Sequence, residues 1–355
     1  MPRERVASFD VEFVSVLGPD GSVDEALVPD ASDDELREWY RTMRLSRRLD
    51  ERAIALQRRG EIGSYAPATG QEAIQVGASA ATRADDWFVP SFREQTAALA
   101  LGGDPTAQFL YAMGREEGAE VPPDANALPP AVPVGSQTLH AVGVAWAERL
   151  RDRDRATVAY FGDGASSEGD VAEALNVAGV FDVGVVFVCQ NNQYAISTPR
   201  RLQSRAQTLA QKAIGAGIDC VQVDGNDVLG SHVVVREALD RAREGHPTLV
   251  EALTYRRAMH TTSDDPSVYR SPEEEAEWAR RDPISRFETY LRERGILDDE
   301  TVQAIEADVE ETIAAAVERA KAAPPPDPTD VFEHVYATVP PVLRAQAEAF
   351  REGRR

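Results

Sequence analysis

Apolar and polar residues follow two different periods along the chain, one typical of helices and one typical of buried strands. The run Ser32-Asp33-Asp34-Glu35 is a capping box, and the apolar positions that follow recur at helical spacing until Gly60. Uninterrupted apolar runs at 157–161 and 185–189 instead predict buried strands. Helical patterns separate these runs, and strands that alternate with helices predict an α/β fold with a doubly wound, mostly parallel sheet.

Further patterns extend this prediction over the whole chain. A strand is predicted at 87–90, helices near 138–150 and 170–180, strands at 221–225 and 248–254, and helices starting at Asp282 and Asp298. A loop rich in proline and polar residues covers about 114–133. The predicted organisation is an N-terminal arm (1–31), an α/β domain with C-terminal helices (32–323), and a proline-rich break with a C-terminal docking segment (324–355).

Composition and charge narrow the class of partner. The chain has 355 residues and a formal net charge of −22, which argues against nucleic acid because phosphate binding needs a basic face. It has no apolar run near the ~20 residues that span a membrane and no signal-peptide pattern, so a cytoplasmic protein is expected. The two cysteines are expected to be free thiols, and the histidines at 140, 232, 246, 260 and 334 form no zinc-type cluster.

The basic residues are almost all arginine. Lys212 and Lys321 are the only lysines in this acidic chain. An acidic, arginine-rich composition suits a salt-rich cytoplasm in which charge repulsion is screened, so a halophilic source is one hypothesis. A GC-rich genome is the alternative, because it also favours arginine and alanine.

Two short motifs suggest chemistry. Gly162-Asp163-Gly164 and Asn191-Asn192 each close a predicted strand, and 29 residues separate Asp163 from Asn192. Because a strand–helix–strand unit takes ~30 residues, both side chains are expected at the same edge of the sheet, where ligands bind in α/β proteins. Carboxylate and amide oxygens are suited to Mg²⁺, and glycine lets backbone approach a phosphate. The alternative is that both motifs are ordinary turn formers.

The residues around these motifs resemble a known family. The stretch at 160–199, YFGDGASSEGDVAEALNVAGVFDVGVVFVCQNNQYAISTP, is similar to the thiamine-diphosphate motif in the α subunit of 2-oxo acid dehydrogenases, the decarboxylating component of the pyruvate and branched-chain complexes. The likeness also includes the first long helix, residues 65–73, the loop YRRAMHTTSDDPSVYRS at 255–271 and the C-terminal helices.

The resemblance implies a set of cofactor contacts. Mg²⁺ would be held by Asp163, by the Asn192 side chain and by the Tyr194 backbone carbonyl. The backbone of Gly164 and Ala165 would contact the diphosphate of thiamine diphosphate. The same resemblance places Ala195 close to that group.

Further roles follow from the resemblance in the segments before these motifs. Arg93 matches an arginine that grips the diphosphate, and Phe92 stands where the family often has tyrosine. Val134 matches an apolar residue beside the aminopyrimidine ring, and Val132 matches a nearby backbone contact. Without the resemblance, Arg93 would be interpreted as a surface arginine paired with a neighbouring carboxylate (Glu94 or Asp85), and both valines as core residues.

The loop histidine takes its role from the same resemblance. His260 aligns with the active-site histidine of the loop that covers the cofactor, where it would contact diphosphate oxygens and act near neutral pH. Tyr255 and Arg256 would support the loop. Thr261 follows His260 at the position where mitochondrial relatives carry a phosphorylated serine, and phosphorylation of this chain is not predicted. Without the resemblance, His260 would be a solvated loop residue.

The family also implies partners. The glutamate that activates the cofactor comes from a β subunit, and Glu72, the best local substitute, is expected to be structural. An α₂β₂ heterotetramer is therefore expected, and the α chain alone should be inactive. The heterotetramer would pass an acyl group from a small 2-oxo acid to a lipoyl acyltransferase core. A dihydrolipoyl dehydrogenase would complete the complex. Pyruvate is slightly favoured as substrate over branched-chain 2-oxo acids.

Three other functions fit the sequence less well. A single-chain transketolase would need both halves of the site on one chain. A catalytically degenerate scaffold would not keep Asp163, Asn192, Arg93 and His260. A Mg²⁺-dependent phosphohydrolase would be expected to have clustered carboxylates near Asp163.

Overall fold

The structure is a computed structural model that describes residues 3–122, 125–333 and 335–353. His334 and two residues of the predicted loop at 114–133 therefore lie outside the described residues. The strands are β1 Phe13–Val14, β2 Trp87–Val89, β3 Thr157–Gly162, β4 Val185–Asn191, β5 Tyr194–Ala195, β6 Thr198–Pro199, β7 Asp219–Asp224 and β8 Thr248–Leu253.

Helices account for most of the remaining ordered backbone. They are α1 Asp33–Arg58, α2 Glu72–Ala81, α3 Gln95–Ala100, α4 Pro105–Ala112, α5 Ser136–Leu150, α6 Gly169–Phe181, α7 Arg200–Gln203, α8 Gln211–Ala216, α9 Val228–Arg243, α10 Pro272–Ala279, α11 Pro283–Glu293, α12 Asp299–Ala322, α13 Asp330–Glu333 and α14 Pro341–Arg351. Short 3₁₀ turns cover Glu116–Ala119, Gly164–Ser167 and Pro266–Val268.

Six strands form one parallel sheet in the order β1-β7-β8-β4-β3-β2. The predicted α/β class is confirmed. The sheet begins at β1, inside the predicted N-terminal arm, where Phe13 lies opposite Gln222 of β7. β5 and β6 form a separate antiparallel hairpin.

Different helices cover the two faces of the sheet. In β3, Ala159 and Phe161 lie in one core with side chains of α5, α6 and α8, whereas Val158 and Tyr160 lie in a second core with α2 and α9. Successive strand residues point to opposite faces, so a strand covered on both sides needs a continuous apolar run. This explains why β3 and β4 appear in the sequence as uninterrupted apolar segments.

The long helices at the periphery begin where the sequence predicts. Ser32 and Glu35 form the capping box of α1, Asp282 caps α11 with Pro283 in its first turn, and Asp298 caps α12. Helix α1 packs on α4 and α12 in one apolar cluster and on α11 in another. Within the described ranges, no helix is long and apolar enough to cross a membrane.

Candidate functional site

Parallel pairing brings the two motifs together. In β3 and β4, Gly162 lies opposite Gln190, so Asp163 and Asn192 follow the ends of neighbouring strands. Both side chains are buried. The expectation that the 29-residue spacing puts them at one edge of the sheet is therefore confirmed.

The segment after β4 turns sharply. Asn192 Oδ1 accepts a hydrogen bond from the Tyr194 amide at 3.3 Å, which closes a tight loop around Gln193. Gln193 has φ +76° and Ile196 has φ +55°, a backbone region that a β-branched residue such as isoleucine rarely adopts. Strain of this kind clusters at functional sites. The β5–β6 hairpin is thus held in an unfavourable conformation beside the two motifs.

Asp163 lies in a low-dielectric setting. Burial raises the pKa of its carboxyl, and hydrogen bonds from Gln203 and from the Asn192 backbone oppose that rise. Gln203 Nε2 donates to Asp163 Oδ2 at 2.6 Å, and Asn192 Nδ2 donates to Gln71 Oε1 at 3.0 Å. An isolated buried carboxylate is costly, so a bound cation would stabilise this group.

The turn after β3 packs directly on the hairpin. A Cβ placed on Gly164 would lie 2.7 Å from the Cβ of Ala195, so a larger residue does not fit without movement. Ala165 is buried in the core shared with α5 and α6, which fixes the turn. Lys212 donates to the Ser166 carbonyl and closes the turn from the other side. The backbone of Gly164, Ala165 and Ala195 is therefore brought into one place.

Arg93 and His260 form a second cluster. Arg93 Nη2 donates to His260 Nδ1 at 3.0 Å and to the His260 carbonyl at 2.9 Å, and Arg93 Nη1 donates to the Pro67 carbonyl at 2.6 Å. Phe92 packs edge-on against the His260 ring. Because the guanidinium has no acceptor, Nδ1 must accept, and the neutral ring carries its proton on Nε2.

The electrostatics of this cluster follow from burial. Burial and the nearby Arg93 charge lower the pKa of His260 to about 4. Burial and the charge of Arg256 lower the pKa of Arg93 to about 10. The positive charges of Arg93 and Arg256 therefore act on each other in a poorly solvated place, which favours an anionic ligand.

Arg256 joins the two clusters. Its guanidinium donates to the Tyr194 carbonyl at 3.1 Å and to the Ile196 carbonyl at 2.6 Å. The same group donates to the Tyr269 hydroxyl, which donates to Asp264, and Asp264 also accepts from the His260 amide at 2.7 Å. These hydrogen bonds give a physical basis for the supporting role that the resemblance implies for Arg256. Tyr269, Asp264, Gln71 and Gln203 were not singled out from the sequence, because nothing in their spacing marks them.

The two valines that the resemblance places beside the cofactor lie outside the core. Val132 and Val134 are 59% and 50% exposed, so the core interpretation that applies without the family is wrong. Their loop is nevertheless attached to the site, because the Ala131 amide donates to the Ser91 carbonyl, next to Phe92. At the other end, Gly135 lies beside Glu168 at the start of α6. The two valines therefore lie on an exposed loop whose ends are anchored beside Phe92 and the start of α6.

Two other sequence-based interpretations concern charged residues. Arg93 is not a surface ion pair, because its side chain is buried and its guanidinium contacts Pro67 and His260. Glu72 is fully buried and accepts hydrogen bonds from Arg47 at 2.6 Å and from the Gly70 amide at 2.8 Å, which is a structural arrangement.

The residues present fit a divalent cation and a diphosphate. Asp163, Asn192 and Tyr194 offer a carboxylate, an amide and a carbonyl oxygen, the donors that Mg²⁺ prefers. Where the structure is described, no three His, Cys, Asp or Glu side chains cluster to hold a metal, so phosphate oxygens or water would complete the shell. Several buried polar atoms around the hairpin have no partner: Gln71 Nε2, Gln203 Oε1, Ser166 Oγ and Arg256 Nε. Such atoms are costly unless a ligand or water satisfies them.

Comparison with known proteins assigns the chain to a family. The sequence profile of the family described as "Dehydrogenase E1 component" matches residues 40–329, which contain every predicted site residue. The chain belongs to the dehydrogenase E1 component family. The expected resemblance is confirmed, and with it the enzyme class, an oxidoreductase of the 2-oxo acid dehydrogenase type. This E1 family uses thiamine diphosphate.

Individual relatives of this E1 chain are α subunits. It is 44% identical over 353 residues to the 3-methyl-2-oxobutanoate dehydrogenase subunit alpha of Mycobacterium tuberculosis, with 99% of this chain and 96% of the relative covered. It is 40% identical over 344 residues to the pyruvate dehydrogenase E1 component subunit alpha of Staphylococcus aureus, covering 96% and 93%. The corresponding protein of Bacillus cereus is 41% identical over 345 residues, also covering 96% and 93%.

Proposed function

We propose that this chain is the α subunit of a heterotetrameric 2-oxo acid dehydrogenase, which binds thiamine diphosphate through Mg²⁺ and acts with a β subunit. The observation that carries the proposal is the single hydrogen-bond chain from the Tyr194 carbonyl through Arg256 to His260. This chain of hydrogen bonds links the segment that offers oxygen ligands for a metal to the loop whose His260, together with Arg93, offers N–H donors for a diphosphate. Such preorganisation is what an anionic cofactor needs.

Each residue has a defined task in this proposal. Asp163, Asn192 and the Tyr194 carbonyl hold Mg²⁺, and the backbone of Gly164 and Ala165 approaches the diphosphate. Arg93 binds diphosphate oxygens through its guanidinium, a planar donor fork suited to phosphate.

The histidine and the two valines complete the site. His260 reaches the anion with its Nε2 proton, because Nδ1 already accepts from Arg93. Val132 and Val134 contact the ring end. When bound, thiamine diphosphate supplies the electron sink for breaking the bond between the keto carbon and the carboxylate.

The chain is proposed to need a β subunit. Glu72, the best local substitute for the activating glutamate, already accepts hydrogen bonds from Arg47 and the Gly70 amide and is therefore not free to activate a cofactor. The exposed valines leave the ring end of the site open, which suits a cofactor bound at a subunit interface. The acyl group then passes to a lipoyl group of the acyltransferase core, with a dihydrolipoyl dehydrogenase completing the complex in the cytoplasm.

Two substrate classes remain in the proposal. The residues at 65–73 and 126–130 resemble bacterial and archaeal pyruvate enzymes, whereas those at 160–162 and 223–228 resemble branched-chain enzymes. The name and higher identity of the M. tuberculosis relative favour 3-methyl-2-oxobutanoate. Steady-state rates of the α/β pair with pyruvate, 3-methyl-2-oxobutanoate and 3-methyl-2-oxopentanoate decide between them, since the specific substrate has the highest kcat/KM.

A binding titration tests the function itself. The α/β pair should bind thiamine diphosphate only with Mg²⁺, and Asp163→Asn should abolish this Mg²⁺-dependent binding. Glu173→Gln, an exposed change of the same charge in α6, should leave it intact. Binding that needs no metal, or equal loss in both variants, contradicts the proposal. Decarboxylation by the α chain alone contradicts the need for β, and phosphate release from simple esters favours the phosphohydrolase. A degenerate scaffold would bind the cofactor without turnover.

A further inference from the structure

The loop that carries His260 rests on a short backbone segment between α1 and α2, residues 65–70, called here the platform segment. The Tyr65 amide donates to Thr262 Oγ1 at 3.1 Å, and the Thr262 amide donates to the Tyr65 carbonyl at 2.9 Å. The Arg257 amide donates to the Thr69 carbonyl at 3.0 Å. Both sides of the His260 loop are therefore tied to the platform segment.

The same segment also holds Arg93. Its guanidinium donates to the Pro67 carbonyl at 2.6 Å while it holds His260. Gln95, two residues further along, donates to the Ala66 carbonyl at 2.8 Å. A displacement of the platform segment would therefore move Arg93 and His260 together.

The platform segment is itself fixed by one carboxylate of α1. Asp50 is fully buried, and its Oδ1 accepts from the Tyr65 hydroxyl at 2.6 Å. Its Oδ2 accepts from the Thr69 amide at 2.8 Å and from the Thr69 hydroxyl at 2.7 Å. Gln95 Nε2 approaches Oδ1 at 3.4 Å. Every one of these partners is a donor and none is a cation, so the arrangement matches an ionised carboxylate held by hydrogen bonds alone.

We propose that Asp50 is a positioning residue that sets the affinity for the diphosphate, because it holds the platform segment on which Arg93 and His260 both depend. The inference rests on the proposed function and adds a residue that touches neither cofactor nor metal. A buried carboxylate without a cationic partner is costly to the fold. A role in positioning Arg93 and His260 explains why a buried carboxylate stands at position 50.

The ionised form is the one that the platform segment needs. A proton on Asp50 would turn one of its acceptor oxygens into a donor. The Tyr65 or Thr69 hydroxyl would then have to turn from donor to acceptor, and its present hydrogen bond to Asp50 would be lost. Burial raises the pKa of Asp50 to about 6; the Glu72 charge acts in the same direction, and the bonds from Tyr65, Thr69 and Gln95 oppose it. The Arg93 charge also faces this group. Cofactor affinity should therefore be full above about pH 6 and fall as Asp50 takes up a proton below it.

Asp50→Asn in the α/β enzyme tests this inference. The Asn amide would face donors, so the Kd for thiamine diphosphate at saturating Mg²⁺ should rise about tenfold at pH 7.5. The turnover rate at saturating cofactor should stay within about twofold, because Asp50 does not touch the reacting atoms. Trypsin should cleave faster at Arg256, Arg257 and Arg270, and the affinity loss below pH 6 should disappear.

Two further variants make the result decisive. Thr69→Val removes one donor to Asp50 and should raise the Kd about threefold, even if Asp50→Asn does not fold. Glu51→Gln changes the exposed neighbour and should leave the Kd unchanged.

The outcomes separate the inference from the proposed function. If Asp50→Asn and Thr69→Val lower only the melting temperature, with Kd and cleavage unchanged, Asp50 is merely structural and the inference is overturned. If the unaltered enzyme does not bind thiamine diphosphate, the proposed function fails first.

Discussion

The contact between Gly164 and Ala195 gives the sharpest prediction for the metal end of the site. In Gly164→Ala the new Cβ would start 2.7 Å from the Cβ of Ala195, whereas carbon atoms pack at about 3.5–4.0 Å. The hairpin must therefore retreat by about 1 Å. The Tyr194 carbonyl is the neighbouring group, and Mg²⁺ tolerates little change from distances of about 2.0–2.1 Å.

The expected magnitude follows from the cost of overpacking. Inserting a methyl into a packed place costs about 1–3 kcal/mol, which corresponds to an affinity loss of about 5- to 150-fold. Isothermal titration of the α/β pair with Mg²⁺ at fixed thiamine diphosphate measures this loss. Gly143→Ala, the same substitution in α5 with no atom within 4 Å of the new Cβ, is the control and should bind normally. Normal Mg²⁺ binding by Gly164→Ala would refute the reasoning.

Four further predictions concern charge and burial. Removing the cation in Arg93→Met should raise the pKa of His260 from about 4 toward 6.5, as followed by NMR titration; an unchanged pKa contradicts the assigned cause. Because the His260 pKa is lowered in the folded state, the unaltered protein should lose stability as pH falls from 6.5 toward 4, which acid titration of the melting temperature detects. Val134→Ser should change the free energy of unfolding by less than about 0.5 kcal/mol, because the side chain is half exposed, and should still weaken cofactor binding. A large decrease in the free energy of unfolding, measured by chemical denaturation, would mean that Val134 belongs to the core. Asp86→Ala should cost about 3–5 kcal/mol in the same assay, because it removes the buried partner of the Arg243 guanidinium at 2.5 Å and leaves the exposed Asp240 at 3.1 Å. A cost below about 1 kcal/mol would count against a desolvated pair.

Regular elements and their order could be predicted from the sequence because they depend on local periodicity. The apolar runs of β3 and β4 mark strands buried on both faces, and the strand–helix–strand spacing then places Asp163 beside Asn192. Caps at Ser32 and Asp298 are equally local, since each bonds within its own first turn. These features need no knowledge of distant contacts.

Contacts between distant segments could not be predicted in this way. Asp50 and Arg256 reach the site through hydrogen bonds to loops, and loop positions carry no periodic pattern. Arg93 was open to a surface interpretation because its sequence neighbours are acidic, yet its guanidinium is turned inward to Pro67 and His260. The resemblance supplied its role, and its burial depends on tertiary packing. The roles of the site residues themselves stay predictions until the titrations are made.

Short segments of chain cover both edges of the six-stranded sheet. At one edge β1 adds only two residues to β7, and Asp227 accepts the amides of Val16 and Leu17 just beyond it. At the other, Phe88 exchanges backbone hydrogen bonds with Asn126 and Leu128. Within the residues that the structure describes, neither edge offers a long row of free amides and carbonyls, which is how natural sheets avoid edge-to-edge aggregation. In the proposed heterotetramer, contacts with other subunits would therefore use side-chain surfaces rather than continuation of the sheet, and the chain would not polymerise by strand addition.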